Sequence, residues 1–315
     1  QDVRTFKPQP DYPECFAITN RLRYRPGRGL PNYIGISPIP YLGAAYLGTT
    51  WEPFAVNGDP NDPAFTIPNI GLTDPAEVGR LEARRSLRAQ LDSLERALED
   101  QKAMEALDTF EQMAFSVLTK PAAREAFDLS LEDPRTRDRY GRNRWGQQCL
   151  MARRLVESGV DLVTTTLAGP ECGRVQNWDD HAVNHHVFDA MKLRAPLFDQ
   201  AVAALIEDIY ERGLDKRVMV IVTGEFGRTP RISYAADSAS GVMQPGRDHW
   251  PNATSLLCAG GGIETGRVIG ATDRRGEQVV ERRVGAGAFR ATIYSHMQVD
   301  AERVACAGCP GRRNP

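Results

Sequence analysis

The run Arg217–Thr223 (Arg-Val-Met-Val-Ile-Val-Thr) constrains the fold more than any other feature of the chain. It is strand-length and apolar at consecutive positions, whereas a strand with one wet face alternates polar and apolar residues. A strand apolar on both faces needs a packed layer on each side, which is the position of a central strand in a parallel sheet covered by helices. The preceding segment, 182–213, supplies such a helix. Leu197, Phe198, Ala201, Val202, Leu205, Ile206, Ile209 and Tyr210 form one apolar stripe, which Gly213 ends. Before it, Val160–Leu167 reads as a second buried strand. Strand, helix and strand over 160–223 therefore predict a βαβ unit with a right-handed crossover. The expected fold class is α/β, a mostly parallel sheet flanked by helices.

Other elements extend this core. Residues 144–158 have helical periodicity and stop at Gly159, Ala253–Ala259 is a further apolar strand, and Gly260–Gly262 follows it. Arg267–Ala271 reads as a short strand and Ala286–Met297 as a terminal helix. Residues 1–72 are rich in Pro, Gly, Tyr and Asn and read as a loop-rich segment packed on the main domain, with too little continuous hydrophobic pattern to start a sheet. A helical excursion is expected over 73–132. Thr73 caps it, Pro75 and Glu77 suit its first turn, and Leu87, Leu91, Leu94 and Leu98 recur at helical steps. A second helix at about 103–118 would complete a hairpin. The α/β core is then expected over 133–300, opened by the charged connection 133–142, with 301–315 as a tail.

Composition removes several classes of function. The 39 basic and 41 acidic side chains of the 315 residues give a net charge of -2, so no bulk electrostatic attraction to nucleic acid is expected. The arginines of the helical excursion are interleaved with acids, which argues the same way. No apolar run approaches the roughly 20 residues of a transmembrane helix. The chain opens with Gln1 and shows no signal peptide, which suggests a processed or excerpted chain. Among six cysteines, Cys149 and Cys258 sit in apolar surroundings and read as buried free thiols. Cys306 and Cys309 have CxxC spacing but no second ligand pair, so a tail disulfide or free thiols is expected there rather than zinc. Nothing in the pattern sets the oligomeric state.

Histidine is scarce and concentrated. Three of the five, His181, His185 and His186, follow Asp179 and Asp180 directly, and His249 lies in Gly246-Arg247-Asp248-His249-Trp250-Pro251. In open α/β sheets, ligands bind beyond the carboxyl ends of the strands. Asn177–His181 follows the strand at 160–167, Gly224–Pro230 follows the strand at 217–223, and Gly246–Pro251 precedes the strand at 253–259. At least two of these three segments are expected at one sheet edge. Together they offer Asp179, Asp180, His181, Glu225, Arg228, Asp248 and His249. Carboxylate with imidazole is a ligand mix for zinc, manganese or iron, and an arginine beside it suits a phosphate or sulfate oxyanion. The bland alternative is a hydrogen-bonded polar cluster that orders the loops, with Glu225 and Arg228 paired or capping. No Gly-x-Ser-x-Gly elbow and no Gly-x-Gly-x-x-Gly turn is present, so serine-hydrolase and dinucleotide readings have no support.

The two motifs Gly224-Glu225-Phe226-Gly227-Arg228-Thr229-Pro230 and Gly246-Arg247-Asp248-His249-Trp250-Pro251, with Trp178-Asp179-Asp180-His181 before them, resemble the bacterial domain-of-unknown-function family 1501. Ala152–Val160 and Gly270-Ala271-Thr272-Asp273 fit as well. The resemblance covers about residues 120–295 well and the first 120 loosely. It implies the alkaline-phosphatase and sulfatase superfamily, hence an alkaline-phosphatase-like sheet and a divalent metal, zinc, manganese or calcium. It also implies hydrolysis of phosphate or sulfate esters, and export. Asp179 and His181 then resemble the superfamily's ligand pair, with Glu225 and His249, beside Asp248, as further ligands and Arg228 as the oxyanion group. Two departures stand out. Glu225-Phe226 replaces the superfamily's Asp-His, and the Gly-Gly-Pro-Ser-type segment that would carry a nucleophile does not occur. Two functional expectations follow: a metal-dependent ester hydrolase, as an incomplete chain, or an exported binding or structural module that keeps the fold without the chemistry.

Overall fold

The computed structural model describes residues 10–25, 28–37, 39, 43–67, 121–169 and 177–300. The expected hairpin over about 74–118, Cys172 and the tail cysteines lie outside these residues. The described elements begin with helix α1 (Cys15–Arg23) and strands β1 (Tyr33–Ile36) and β2 (Phe54–Val56). Helices α2 (Pro121–Phe127), α3 (Pro134–Tyr140) and α4 (Arg144–Glu157) follow, then strand β3 (Leu162–Thr165) and helix α5 (Val187–Glu211). The remaining strands are β4 (Met219–Thr223), β5 (Gly227–Arg228), β6 (Ser233–Ala236), β7 (Met243–Gly246), β8 (His249–Trp250), β9 (Leu256–Gly260), β10 (Ala271–Thr272) and β11 (Val279–Glu281). Helix α6 (Ala286–His296) closes the series, and the whole is a mixed α/β arrangement.

Among the described residues only three strands run parallel, in the order β2-β1-β3, with Ile36 opposite both Val56 and Thr165. Strand β1 is buried along its whole length. On one face, Ile34, Ile36 and Val56 pack with Leu150, Met151 and Leu155 of α4. On the other, Tyr33 and Leu162 pack with Ile293 and Tyr294 of α6 and with Phe16 of α1. Helices therefore cover both faces. The centre of the parallel sheet thus comes from the segment expected to be loop. Tyr-Ile-Gly-Ile is only four residues long and buried on both sides, so it shows neither alternation nor a long apolar run, and Pro31 and Pro38 flank it.

The expected βαβ unit is also corrected. Strands β3 and β4 and helix α5 all form, but β4 pairs antiparallel with β9, from Met219 opposite Gly260 to Thr223 opposite Leu256. Strand β3 pairs with β1 instead. An apolar run on both faces specifies burial and leaves the direction of the partner strand open. Burial is in fact one-sided along part of β4. Val220 packs on Ile209 and Leu214 behind α5, and Ile221 turns to the cluster under α6, while Leu256 and Leu257 of β9 remain exposed. The short strand expected at Arg267–Ala271 forms later, at β10.

Side chains cap the starts of two long helices. Asn143 accepts a hydrogen bond from the Gly146 amide at the start of α4 (3.0 Å), and His186 Nδ1 accepts one from the Asp189 amide at the start of α5 (3.3 Å). A desolvated charge network ties these two helices. Arg153, 1% exposed, pairs with Glu132 (2.7 Å) and Asp208 (2.8 Å), and the Tyr140 hydroxyl donates to Asp208 (2.9 Å). Cys149 is a buried free thiol, as expected, and Cys258 is free but only half-buried. Among the described residues, no helix is long and apolar enough to cross a membrane.

Candidate functional site

The segment between β3 and α5 is held from below by one arginine. Arg194 of α5 is fully buried and donates to the carbonyl of Asn177 and to the carboxylate of Asp180. Its guanidinium also lies 4.6 Å from the centre of the Trp178 ring. Trp178 in turn donates to the Leu167 carbonyl (2.6 Å) and stacks on Trp145 at 5.8 Å. These contacts fix both neighbours of Asp179, and its amide donates to Asn177 Oδ1 (2.8 Å). Arg194 falls on the stripe of Leu197, Phe198 and Ala201, and a charge inside an apolar helical face signals a buried partner. That signal was available in the sequence, although the motifs alone do not include it.

The second and third segments meet as strands. Gly227 and Arg228 of β5 pair with Trp250 and His249 of β8. The Thr229 amide donates to the Asp248 carbonyl (2.9 Å), and Arg247 Nε donates to the Thr229 carbonyl (2.6 Å). Glycine is required at two of these positions because backbones touch. A Cβ on Gly227 would overlap the Ala253 carbonyl, and one on Gly246 would overlap the Ala182 amide. The second approach, with the Arg247 amide donating to the Asp180 carbonyl (2.8 Å), seats β7 and β8 against the 177–182 segment.

All three segments converge on one carboxylate oxygen. Asp179 Oδ1 lies 2.6 Å from Arg228 Nη1, 2.9 Å from His249 Nε2 and 2.9 Å from His181 Nδ1. One ligand atom from each of Asp179, His181 and His249 lies within 4.8 Å of the others. The two imidazole rings are 4.7 Å apart, and the Phe226 ring lies 4.2 Å from that of His249. The Asp179 and His249 side chains are 35% and 50% exposed, so the cluster opens to solvent. Burial pushes the Asp179 carboxyl upward, but hydrogen bonds from His249 and Arg228 outweigh it and hold the group below the usual carboxylate range.

The other sequence candidates fall at different distances. Asp248 is at the rim, with Oδ1 3.8 Å from His181 Nε2 and Oδ2 accepting from Ser233 (3.4 Å). Glu225 is exposed on the turn between β4 and β5 and lies outside the three-residue group. Asp180 is occupied by Arg194, His185 lies 3.5 Å from Asp180, and His186 caps α5. The donors that do converge are two imidazole nitrogens and one carboxylate oxygen. That set fits a single divalent transition metal, with room for a further ligand from solvent. Calcium, which takes six or more oxygens, suits it less.

Neither the curated proteins nor the solved structures include a match to the chain. A family model described as protein of unknown function (DUF1501) matches residues 8–311, and the chain belongs to that family.

Proposed function

We propose that Asp179, His181 and His249 hold one divalent transition metal, zinc or manganese, and that this centre hydrolyses phosphate or sulfate esters. The observation that supports this most is the approach of those three donors to within 4.8 Å at a solvent-open edge, with an arginine on the same carboxylate. A bound divalent ion would supply Lewis acidity there and lower the pKa of a coordinated water.

The chain's own residues have separable roles in this reading. Arg228 is positioned by its Nη1 bond to Asp179, and its Nη2 and Nε edges have no partner among the described residues. Those edges suit a bidentate grip on a substrate oxyanion. Asp248, with Oδ1 3.8 Å from His181 Nε2, adds negative charge beside that imidazole from the rim. Phe226 packs beside His249 where the superfamily pattern has a histidine ligand, so it shields one side of the ring and supplies no donor. Glu225 is exposed on the turn after β4 and is not one of the three donors. The alkaline-phosphatase and sulfatase superfamily, and export, belong to the same reading and rest on the motif resemblance. Assay of a panel of aryl phosphates and aryl sulfates with zinc or manganese added tests it. Turnover that disappears in Asp179→Ala supports the proposal. A metal-loaded protein inert on every ester would leave the non-catalytic module.

A further inference from the structure

We propose a second oxyanion site, sharing no residue with the Asp179 cluster, at the carboxyl end of β1, where Ser37, Arg144 and Gln148 converge on a protonated phosphate. Strand β1 is the central strand of the parallel sheet, and the carboxyl edge of such a sheet is where ligands bind. Ser37 is the first residue beyond it and has φ 50, a conformation that costs a non-glycine residue energy. Its amide still donates to the Val56 carbonyl (2.9 Å), so the sheet anchors the strained residue.

The Ser37 hydroxyl receives two donors from the first turns of α4. Gln148 Nε2 is 2.7 Å from Oγ and Arg144 Nη2 is 3.0 Å away. With both lone pairs taken, the hydroxyl hydrogen must be directed at a third group. Gln148 is 0% exposed, yet among the described residues its Oε1 accepts from nothing. Since the amide nitrogen is on Ser37, that oxygen borders the same spot. A buried amide oxygen without a donor is destabilising, and a ligand hydrogen would relieve it. Among the described residues, two further buried polar atoms of the elements that meet here lack partners. Trp145 Nε1 belongs to the same face of α4, and Thr165 Oγ1 is on the residue opposite Ile36, hence on the sheet face turned to α4.

These atoms specify the ligand. The Ser37 hydroxyl and the Arg144 guanidinium donate, and the guanidinium carries the positive charge, so the ligand is an oxyanion. Gln148 Oε1 accepts, so the oxyanion must carry a proton. Monohydrogen and dihydrogen phosphate meet both demands near neutral pH, and sulfate, which is fully deprotonated, fails the second.

The test is calorimetric titration of inorganic phosphate, then sulfate, into the full chain after chelation, with Asp179→Ala/His249→Ala as a parallel background. Saturable phosphate binding in both proteins, weakened about tenfold or more by Arg144→Gln and by Gln148→Leu, is expected, with sulfate at least about tenfold weaker than phosphate. Ser37→Ala is expected to weaken binding without changing the circular dichroism spectrum. Absence of saturable binding would overturn the site. So would binding lost in the Asp179→Ala/His249→Ala protein and kept in Arg144→Gln, which would place phosphate at the Asp179 cluster. Equal affinity for sulfate would overturn the part assigned to Gln148.

Discussion

Nε2 of His249 lies 2.9 Å from Oδ1 of Asp179, across 70 residues of sequence. That oxygen also takes Arg228, so the carboxylate is held below its usual range despite a burial effect that pushes it upward. A depressed folded-state value means that the group stabilises the fold above the ordinary carboxylate range. The contribution is lost as pH falls through the depressed value. Urea unfolding followed into the acid range is expected to show a shallower loss of stability in Asp179→Asn than in the native chain. Identical acid limbs would show that the three contacts do not persist in solution.

Arg194 is expected to be the costliest single residue of this region. Removing it in Arg194→Ala leaves the Asp180 carboxylate buried without its cation, and breaking such a pair costs about 3–5 kcal/mol. It also frees the Asn177 carbonyl and the Trp178 ring. Denaturant unfolding gives the loss directly. A change below about 1 kcal/mol would mean that solvent reaches Asp180.

Gly246→Ala is expected to act on the cluster through the backbone. Its Cβ would collide with the Ala182 amide beside His181, so β7 must move away from that segment. Overpacking of this kind costs about 1–3 kcal/mol, and metal affinity should fall with it. Gly241→Ala is the matched control in open space, although its positive φ adds strain of its own.

Much of this arrangement is legible in the sequence, for physical reasons that also mark the limits. Helices α4 and α5 have long stripes and clear ends, and β3, β4 and β9 are apolar enough to identify as strands. The convergence of Asp179, His181, Arg228 and His249 follows from three motifs, each adjoining a strand. Strand β1 was hidden because four residues buried on both sides carry no period. The antiparallel partner of β4 was hidden because pairing direction depends on where the chain returns, which no local pattern records. Glu225 is exposed on the turn after β4 and outside the three-donor group, and residue type alone does not encode which motif residues converge.

Glu14, which is not part of the cluster, makes the fold sensitive to pH in the opposite sense. Burial raises its carboxyl to about 7, against the Tyr33 hydroxyl that donates to it, with Glu52 adding to the rise. A raised folded-state value means that the folded chain binds the proton more tightly. Stability from this group therefore declines as pH climbs from the ordinary carboxylate range to about 7. The decline amounts to at most about 3 kcal/mol. Glu14→Gln is expected to flatten that slope, read as unfolding free energy across the interval. An unchanged slope would assign it to other groups.

The most direct test of the central claim is metal content by plasma mass spectrometry, on protein purified without chelator. Native chain, Glu225→Gln and Asp179→Ala/His249→Ala should be compared. About one equivalent of zinc or manganese in the first two, and none in the double variant, is the predicted result. No metal in the native chain, or equal metal in the double variant, would contradict a centre built by Asp179, His181 and His249.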